Sequence, residues 1–390
     1  MADSTRIRDG RVLMNVTQAD LAAAAHLQQP LISMLERGDR PASHEQIETI
    51  ARALGLPSSF FDFRPQSGPG AAPEFRRMKT AKSRDTEQAR QLFKEAFRIS
   101  EQLLDGSRYP RPSLPVVEDS DAELAVDRIE EIAQEVRSLW ALDSTSPINH
   151  LVRTMERRGI VVCPLVLPGE DEPLYGEGKS QHFGASFWLG VGETAVVSLF
   201  PGSSGDRDRF TAAHEAGHMV LHTFRPWVDP DVKEREANLF AGALLAPERA
   251  IAGAFDETMT LKALAQLKAK WGMSMQALAM RGRQLGLISP DRSQALFRQI
   301  SARGWRKNEP VEVPHEAPKL MRKLIDMKYG PSPFADGRIV DELGLPPAIL
   351  RSLAPDALGA PESKRNNVTH IDFQSRQKDK PGGGGQLLQM

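Results

Sequence analysis

The 390-residue sequence is long enough for roughly two or three domains with a sizeable hydrophobic core. Hydrophobic residues make up 40% and charged residues 26%, and the formal net charge of −1 excludes nucleic-acid binding through the overall charge of the chain. The single cysteine, Cys163, excludes an internal disulfide and lies in an apolar run, where we expect a buried, inert thiol. The N-terminus lacks the apolar core of a signal peptide, and no run of about 20 apolar residues occurs, so we expect a cytoplasmic protein without a membrane partner.

The N-terminal stretch, residues 1–63, carries the signals of short helices separated by tight turns. Thr17 is placed to cap the second helix, and Ser43 with Gln46 forms a capping box at the start of the fourth. Gly55 stands where a glycine commonly ends a helix. This spacing predicts an all-α domain at the N-terminus.

Within this domain the segments TQADLA, LISMLERGDR and IARALG resemble the helix-turn-helix domain of Cro/cI-type (XRE) repressors. The resemblance implies a third helix whose N-terminal end enters the DNA major groove, where the amides of Gln28 and Gln29 can read base edges. Gln18, at a helix N-terminus, and the side chains of Arg37 and Arg40 are candidate phosphate contacts. The implied partner is operator DNA, and a palindromic operator implies a homodimer.

The charge of this domain argues against a strong attraction to phosphate. Residues 1–60 contain six Arg and no Lys against seven Asp or Glu, and Pro30 removes a backbone donor early in the third helix. The alternative is a dimerisation or partner-docking unit. Residues 74–98 hold eight Lys or Arg against four Asp or Glu, and this basic stretch either contacts phosphate or forms a solvated helix face.

The middle of the chain changes from helices and helix breakers to strand-like runs. Residues 64–115 contain stretches rich in Pro and Gly around a basic helix, and we predict a linker there. An amphipathic helix follows, with Ser120 and Glu123 as its expected capping box. The runs GIVVCPLVL, HFGASFWLGV and TAVVSLF, between residues 159 and 200, are rich in Val, Leu and Phe and predict strands.

The stretch RFTAAHEAGHMVLH, residues 209–222, contains a His-Glu-x-x-His motif formed by His214, Glu215 and His218. Residues four apart lie on one face of a helix, so both histidines can direct a ring nitrogen at one metal ion, while Glu215 reaches a water on that ion. Zinc with three protein ligands keeps a position for this water and lowers its pKa toward about 7. Glu215 is then the expected general base. The alternative is a half-buried helix whose histidines only bond backbone carbonyls.

The third metal ligand is expected on the helix KEREANLFAGALLAPE, residues 233–248. We select Glu234, and we expect Asn238, one turn further, to bond the second nitrogen of a ligand histidine. Glu236 is the competing choice. His222 continues the face of the two motif histidines, and we assign it a structural or substrate-side role because a third histidine would crowd the same helix.

Over about residues 75–310 the chain resembles the ImmA/IrrE family of zinc peptidases, through the segments RFTAAHEAGHMVLH, EREANLFAGALLAPE, LKALAQLKAKWGMSMQALAMRGRQLGLI and GWRKNEP. The resemblance implies a gluzincin-like α+β fold in which the two motif histidines and Glu234 bind Zn²⁺ and Glu215 is the general base. It also implies limited proteolysis of a repressor, often under DNA damage or another stress. One departure is LLAPE, where the family usually has Leu-Leu-Met-Pro, at a packing position. The motif does not identify the oxyanion-stabilising residue, for which His182 and Tyr175 are candidates.

These features predict a multidomain protein. Its expected parts are an all-α helix-turn-helix domain (1–63), a linker with a basic helix (64–115), an α+β gluzincin-like metallopeptidase domain (116–290), a helical C-terminal region (291–360) and a disordered tail (361–390). The predicted function is a DNA-associated regulatory zinc metalloendopeptidase that cleaves a protein partner, a repressor or a toxin encoded nearby, in a stress or mobile-element response. The alternative is a transcriptional regulator or antitoxin that binds DNA and uses the peptidase fold as a sensor or partner-binding module without turnover.

Overall fold

The structure, a computed structural model, describes residues 4–63, 74–77, 83–168, 182–200, 203–306, 308–335 and 337–355. All of these ranges fall within one compact unit that spans residues 1–360. The tail predicted over 361–390 lies outside the described residues.

The N-terminal helices are α1 (Ser4–Leu13), α2 (Gln18–Ala24), α3 (Gln29–Arg37) and α4 (His44–Leu54). Thr17 caps α2 and Ser43 caps α4, both in capping boxes, so these predictions are confirmed. Gly55 ends α4 with a φ of 66°, a left-handed conformation that glycine adopts without a Cβ clash. An ion pair between Arg11 and Glu36, with 2.6 Å between Nε and Oε1, joins α1 to α3.

Further along the described chain the structure contains these helices: α5 (Ser83–Leu104), α6 (Val126–Leu139), α7 (Leu151–Arg157), α8 (Gly205–His222), α9 (Pro230–Leu245), α10 (Glu248–Ile251), α11 (Leu261–Trp271), α12 (Met275–Gln284), α13 (Pro290–Ala302), α14 (Leu320–Tyr329), α15 (Arg338–Leu343) and α16 (Pro347–Leu353). Short 3₁₀ turns lie at Ser58–Asp62 and Ala252–Ala254. Helices α13 to α16 make the C-terminal region helical, as the sequence predicts.

Four strands form one mixed sheet within the described residues: β1 (Glu74–Arg77), β2 (Ile160–Pro164), β3 (His182–Trp188) and β4 (Ala195–Leu199). The strand order is β1-β3-β4-β2, with β3 antiparallel to both neighbours and β2 parallel to β4. The three strand-like runs of the sequence become β2, β3 and β4. β1 lies in the stretch predicted as a linker. The sequence did not predict this strand, because its four residues carry no strand pattern of their own and their partner, β3, is far along the chain.

The start of α6 differs from the sequence-based expectation. The helix begins at Val126 with Ala125 as N-cap, so the capping box predicted for Ser120 and Glu123 is wrong. The Glu123 carboxylate instead pairs with Arg235 on α9, with 3.1 Å between Oε2 and Nη2. The Glu123 side chain thus contacts a helix distant in sequence instead of completing a local capping box.

The sheet separates two hydrophobic cores, because successive side chains of a strand point to opposite faces. Val162 and Val197 point toward α6, α8 and α9 in the first core. Val161 and Cys163 point into the second core, which also contains residues of α1 to α5 and α14 to α16. The Cys163 thiol is fully buried beside Ser198, and burial raises its pKa to about 12, so the expected burial of this thiol is confirmed.

A buried ion-pair network fastens the N-terminal helices to α5 and α15. Arg6 on α1 pairs with Glu95 on α5 at 2.6 Å, and Glu95 also accepts a hydrogen bond from Arg98 at 2.9 Å. Arg98 in turn donates to the backbone oxygen of Leu343 on α15 at 2.6 Å. Burial opposes ionisation of Glu95, but the two arginines hold the pKa of this carboxyl below its usual value. The N-terminal helices are thus attached through a shared core and through paired charges.

Candidate metal centre

The N-terminal end of α8 is fixed by the segment that precedes α14. A Cβ on Gly205 would lie only 2.1 Å from the backbone oxygen of Val313, so glycine permits this close approach. The His315 ring lies 2.7 Å from the Asp208 carboxylate and adds a polar contact to the same junction. These contacts set the position of the helix that carries the histidine motif.

Small residues allow α8 to pack closely against α9. Ala213 and Ala216 are fully buried, and a Cβ on Gly217 would lie 3.2 Å from the Cα of Ala237 and 3.0 Å from the Phe240 ring. Such an approach brings the backbones of two helices nearer than larger side chains would allow. It places the N-terminal half of α9 beside the middle of α8.

Three ligand-type side chains converge at this contact. The Nε2 atoms of His214 and His218 are 3.0 Å apart, and the Glu234 carboxylate oxygens lie 3.5 and 3.3 Å from them. Ligand atoms about 2.0–2.1 Å from a tetrahedral zinc ion stand about 3.3 Å apart, so the three groups fit one ion. Both histidines are buried, whereas the Glu234 side chain is 43% exposed, which leaves the site open on that side.

The second nitrogen of each motif histidine also has a partner. The Nδ1 atom of His214 lies 3.1 Å from the Oδ1 atom of Asn238, and the Nδ1 atom of His218 lies 3.1 Å from the Nδ1 atom of His222. Burial lowers the pKa of His222 to about 4, although its contact with Glu236 opposes that shift. Glu236, the competing choice for the third ligand, faces His222 and not the point where the three ligand-type groups meet.

The carboxylate of Glu215 is buried against β3. Ser186 Oγ donates to Glu215 Oε2 at 2.7 Å, and a Cβ on Gly184 would lie 2.6 Å from Glu215 Oε1. Ser186 and Gly184 occupy one face of the strand, so one holds the carboxylate and the other leaves room for it. Sequence reasoning missed both. A glycine within a strand-like run does signal a close approach, whereas no sequence feature marked Ser186.

The oxyanion-stabilising residue remains a prediction. Tyr175 lies outside the described part of the chain, and of His182 only the backbone, paired with Arg77, is described.

The predicted DNA-reading amides lie at the start of α3. Gln29 Nε2 donates to Gln18 Oε1 at 3.0 Å, and Gln18 Nε2 donates to Glu36 Oε2 at 2.8 Å, so the structure brings these two glutamines together. Gln28 is the N-cap residue of α3, is exposed, and makes no side-chain capping hydrogen bond. Its amide therefore points to no partner in the cap and is available to a ligand at this surface.

Arg37 and Arg40 are both exposed near the end of α3, where Arg37 pairs with Asp39 at 2.7 Å. The basic stretch over 74–98 divides between roles. Arg98 belongs to the buried network described above, whereas Arg84 is exposed and donates to the backbone oxygen of Asn15 at the turn between α1 and α2.

Comparison with known families assigns a class to two regions of the chain. Residues 155–282 match the peptidase M78 family model, described as an IrrE N-terminal-like domain, and residues 7–61 match a family model described as a helix-turn-helix. The chain therefore joins a helix-turn-helix domain to a metallopeptidase-like domain. The resemblance to the ImmA/IrrE family and to XRE-type domains is confirmed, and the two matches support a DNA-binding regulator that carries an IrrE-like domain. No curated protein matches the chain.

None of the helices that the structure describes combines the length and the apolar character that a membrane-crossing helix requires.

Proposed function

We propose that the protein is a DNA-associated regulatory zinc metalloendopeptidase that cleaves a protein partner, either a transcriptional repressor or a toxin encoded nearby. The observation that carries this proposal is the convergence of His214, His218 and Glu234 beside the Glu215 carboxylate. Two imidazoles and one carboxylate form a ligand set typical of catalytic zinc sites, which favours Zn²⁺ over other divalent ions.

Each residue of the site has a definite task in peptide hydrolysis. His214, His218 and Glu234 would hold the zinc ion, which would supply Lewis acidity toward the scissile carbonyl and toward a water molecule. Glu215 accepts the proton from the attacking water and delivers it to the leaving amine. Ser186 holds the Glu215 carboxylate in place through its hydroxyl. A polypeptide can approach from the exposed side of Glu234.

The N-terminal domain, with proposed boundaries 1–63, brings the peptidase domain, proposed as 116–290, to operator DNA or to a repressor bound there. In this proposal Gln28 and Gln29 read base edges. Gln18, Arg37 and Arg40 contact phosphate. A palindromic operator would be bound by a homodimer. Cleavage of the repressor would then relieve repression under stress.

A second function is favoured by one observation. The helix-turn-helix shares a hydrophobic core with the sheet face opposite α8. Arg6 on α1 also pairs with Glu95 on α5 within this core. In this alternative the metal domain senses a signal and passes it to the DNA-binding domain without turnover.

Cleavage by the full chain, in the wild type and in Glu215→Gln, separates these two functions. Both proteins, loaded with zinc, are incubated with the proteins encoded beside the gene, and products are read by mass spectrometry. Glu135→Gln, the same substitution at an exposed position on α6, is the matched control. We expect zinc in all three proteins and cleavage by the wild type and the control alone. If all three hold zinc and none cleaves any neighbour, while the wild type binds its own promoter, the sensor function replaces the peptidase.

A further inference from the structure

Behind the metal centre lies a continuous chain of buried polar groups. His222 stands 3.1 Å behind His218, Glu236 stands 3.1 Å behind His222, and the Nη1 atom of Arg225 donates to the same Glu236 oxygen at 2.8 Å. The exposed fractions are 6% for His222 and 0% for both Glu236 and Arg225. The chain therefore runs from the metal site into the interior and not to the solvent.

We propose that His222, Glu236 and Arg225 form a support chain that fixes the ring orientation and the tautomer of His218 and thereby sets the affinity of the metal site. This inference rests on the proposed function only for the claim that His214, His218 and Glu234 bind a metal ion. His222 acts here as a positioning residue that never touches the metal.

The hydrogen-bond partners assign one tautomer to each imidazole. The Nε2 atom of His218 points to the other ligands and must carry a lone pair, so the ring proton of neutral His218 lies on Nδ1. That proton is donated to Nδ1 of His222, which places the His222 proton on Nε2. Nε2 of His222 then donates to the Glu236 carboxylate. One consistent direction of donation thus runs from the metal ligand to the acid.

The far end of the support chain is anchored in the segment before α6. Glu236 Oε1 accepts from the backbone N–H of Leu124 at 2.6 Å. The guanidinium of Arg225 donates to the backbone oxygens of Asp119 and Asp121 at 3.1 and 2.8 Å. A carboxylate paired in this way is held against His222, so contacts from outside α8 and α9 also contribute to the orientation of His218.

The two motif histidines therefore have unequal support. The Nδ1 atom of His214 faces the neutral amide of Asn238, whose Nδ2 atom donates to the backbone oxygen of Glu234 at 2.7 Å. Behind His218 stands an anionic carboxylate, reached through His222. A carboxylate behind a ligand histidine raises the basicity of that ligand, and loss of such a partner commonly lowers metal affinity about 10- to 100-fold.

The test measures zinc affinity of the full chain by competition with a chelator, together with the visible spectrum of the Co²⁺-substituted protein. His222→Leu removes both the acceptor and the donor, and we expect zinc affinity to fall about 10- to 100-fold with a changed cobalt spectrum. His222→Gln keeps one acceptor and one donor, and we expect it to recover most of the affinity and the spectrum. His44→Leu, the same substitution at an exposed histidine on α4, is the matched control and should bind zinc as the wild type does.

Each result decides between the metal site and its support. If the wild type binds no zinc, the proposed function itself fails. If the wild type binds zinc and folded His222→Leu matches its affinity and its cobalt spectrum, the support chain is refuted while the metal site stands. If His222→Leu does not fold, Glu236→Gln decides. A clear loss of affinity supports the chain, and wild-type affinity with an unchanged cobalt spectrum contradicts it.

Discussion

The two faces of the sheet both bury charged and polar groups, but the groups are arranged on different principles. On the face toward the N-terminal helices, Arg6 and Arg98 alternate with Glu95, and each charge meets its opposite. On the α8 face, two imidazole nitrogens and a carboxylate direct the same kind of atom, an electron-pair donor, at one point. Alternating charge joins elements together, whereas converging donors form a place for a cation.

The first test concerns the sheet face toward the N-terminal helices, where we expect the largest change in free energy. Glu95→Ala leaves two buried arginines without their shared acid, and breaking a buried pair in this way costs about 3–5 kcal/mol. The free energy of unfolding, measured in urea, should fall by that amount, while zinc affinity of the folded protein stays unchanged. A loss below about 1 kcal/mol would contradict this expectation, because it would mean that the buried network contributes no more to stability than an exposed ion pair does.

A second test concerns the proposed DNA-reading surface, which belongs to the N-terminal helices. Gln28→Ala removes an exposed amide that caps nothing, so we expect unchanged stability and a loss of about 1–3 kcal/mol in discrimination between the promoter and unrelated DNA. Fluorescence anisotropy with both DNAs measures this directly. Arg52→Ala, on exposed α4 surface, is the control and should leave the discrimination as it is. Equal discrimination in wild type and Gln28→Ala would remove this residue from the DNA interface.

The smallest expected effect concerns the α8 face of the sheet. Ser186→Ala deletes the hydroxyl that donates to Glu215, and we expect the cleavage rate to fall about tenfold. Tenfold is about 1.4 kcal/mol, close to the lower end of the roughly 1.5–3 kcal/mol that a hydrogen bond to a charged group contributes. Zinc content should not change, and the variant should remain folded under the assay conditions. Ser198→Ala is a buried serine control on the neighbouring strand β4, with its side chain beside Cys163 on the opposite face of the sheet. An unchanged rate in Ser186→Ala would show that Glu215 is held by other contacts.

Much of the architecture was predictable because the decisive residues are close in sequence. The histidine motif, the caps at Thr17 and Ser43 and the three central strands each depend on spacing within one element. The convergence of Glu234, and not Glu236, with the two motif histidines was also predictable, since the two carboxylates point in different directions from one helix.

The rest could not be read from the chain because it depends on contacts between distant elements. Ser186 meets Glu215 from a neighbouring strand, and Arg225 meets Glu236 from the loop after α8. Strand β1 gains its structure by pairing with β3, and Glu123 pairs with Arg235 on α9 where the sequence indicated a capping box. A local pattern carries no record of such partners.

Metal content tests the central claim most directly, namely that His214, His218 and Glu234 hold a metal ion. The wild type and Glu234→Ala are stripped with a chelator, dialysed against zinc and analysed by mass spectrometry for bound metal, with Glu248→Ala on α10 as the control. We predict about one zinc ion per chain in the wild type and the control, and a large loss in Glu234→Ala. Equal zinc in Glu234→Ala and the wild type, or none in either, would contradict the metal centre described here.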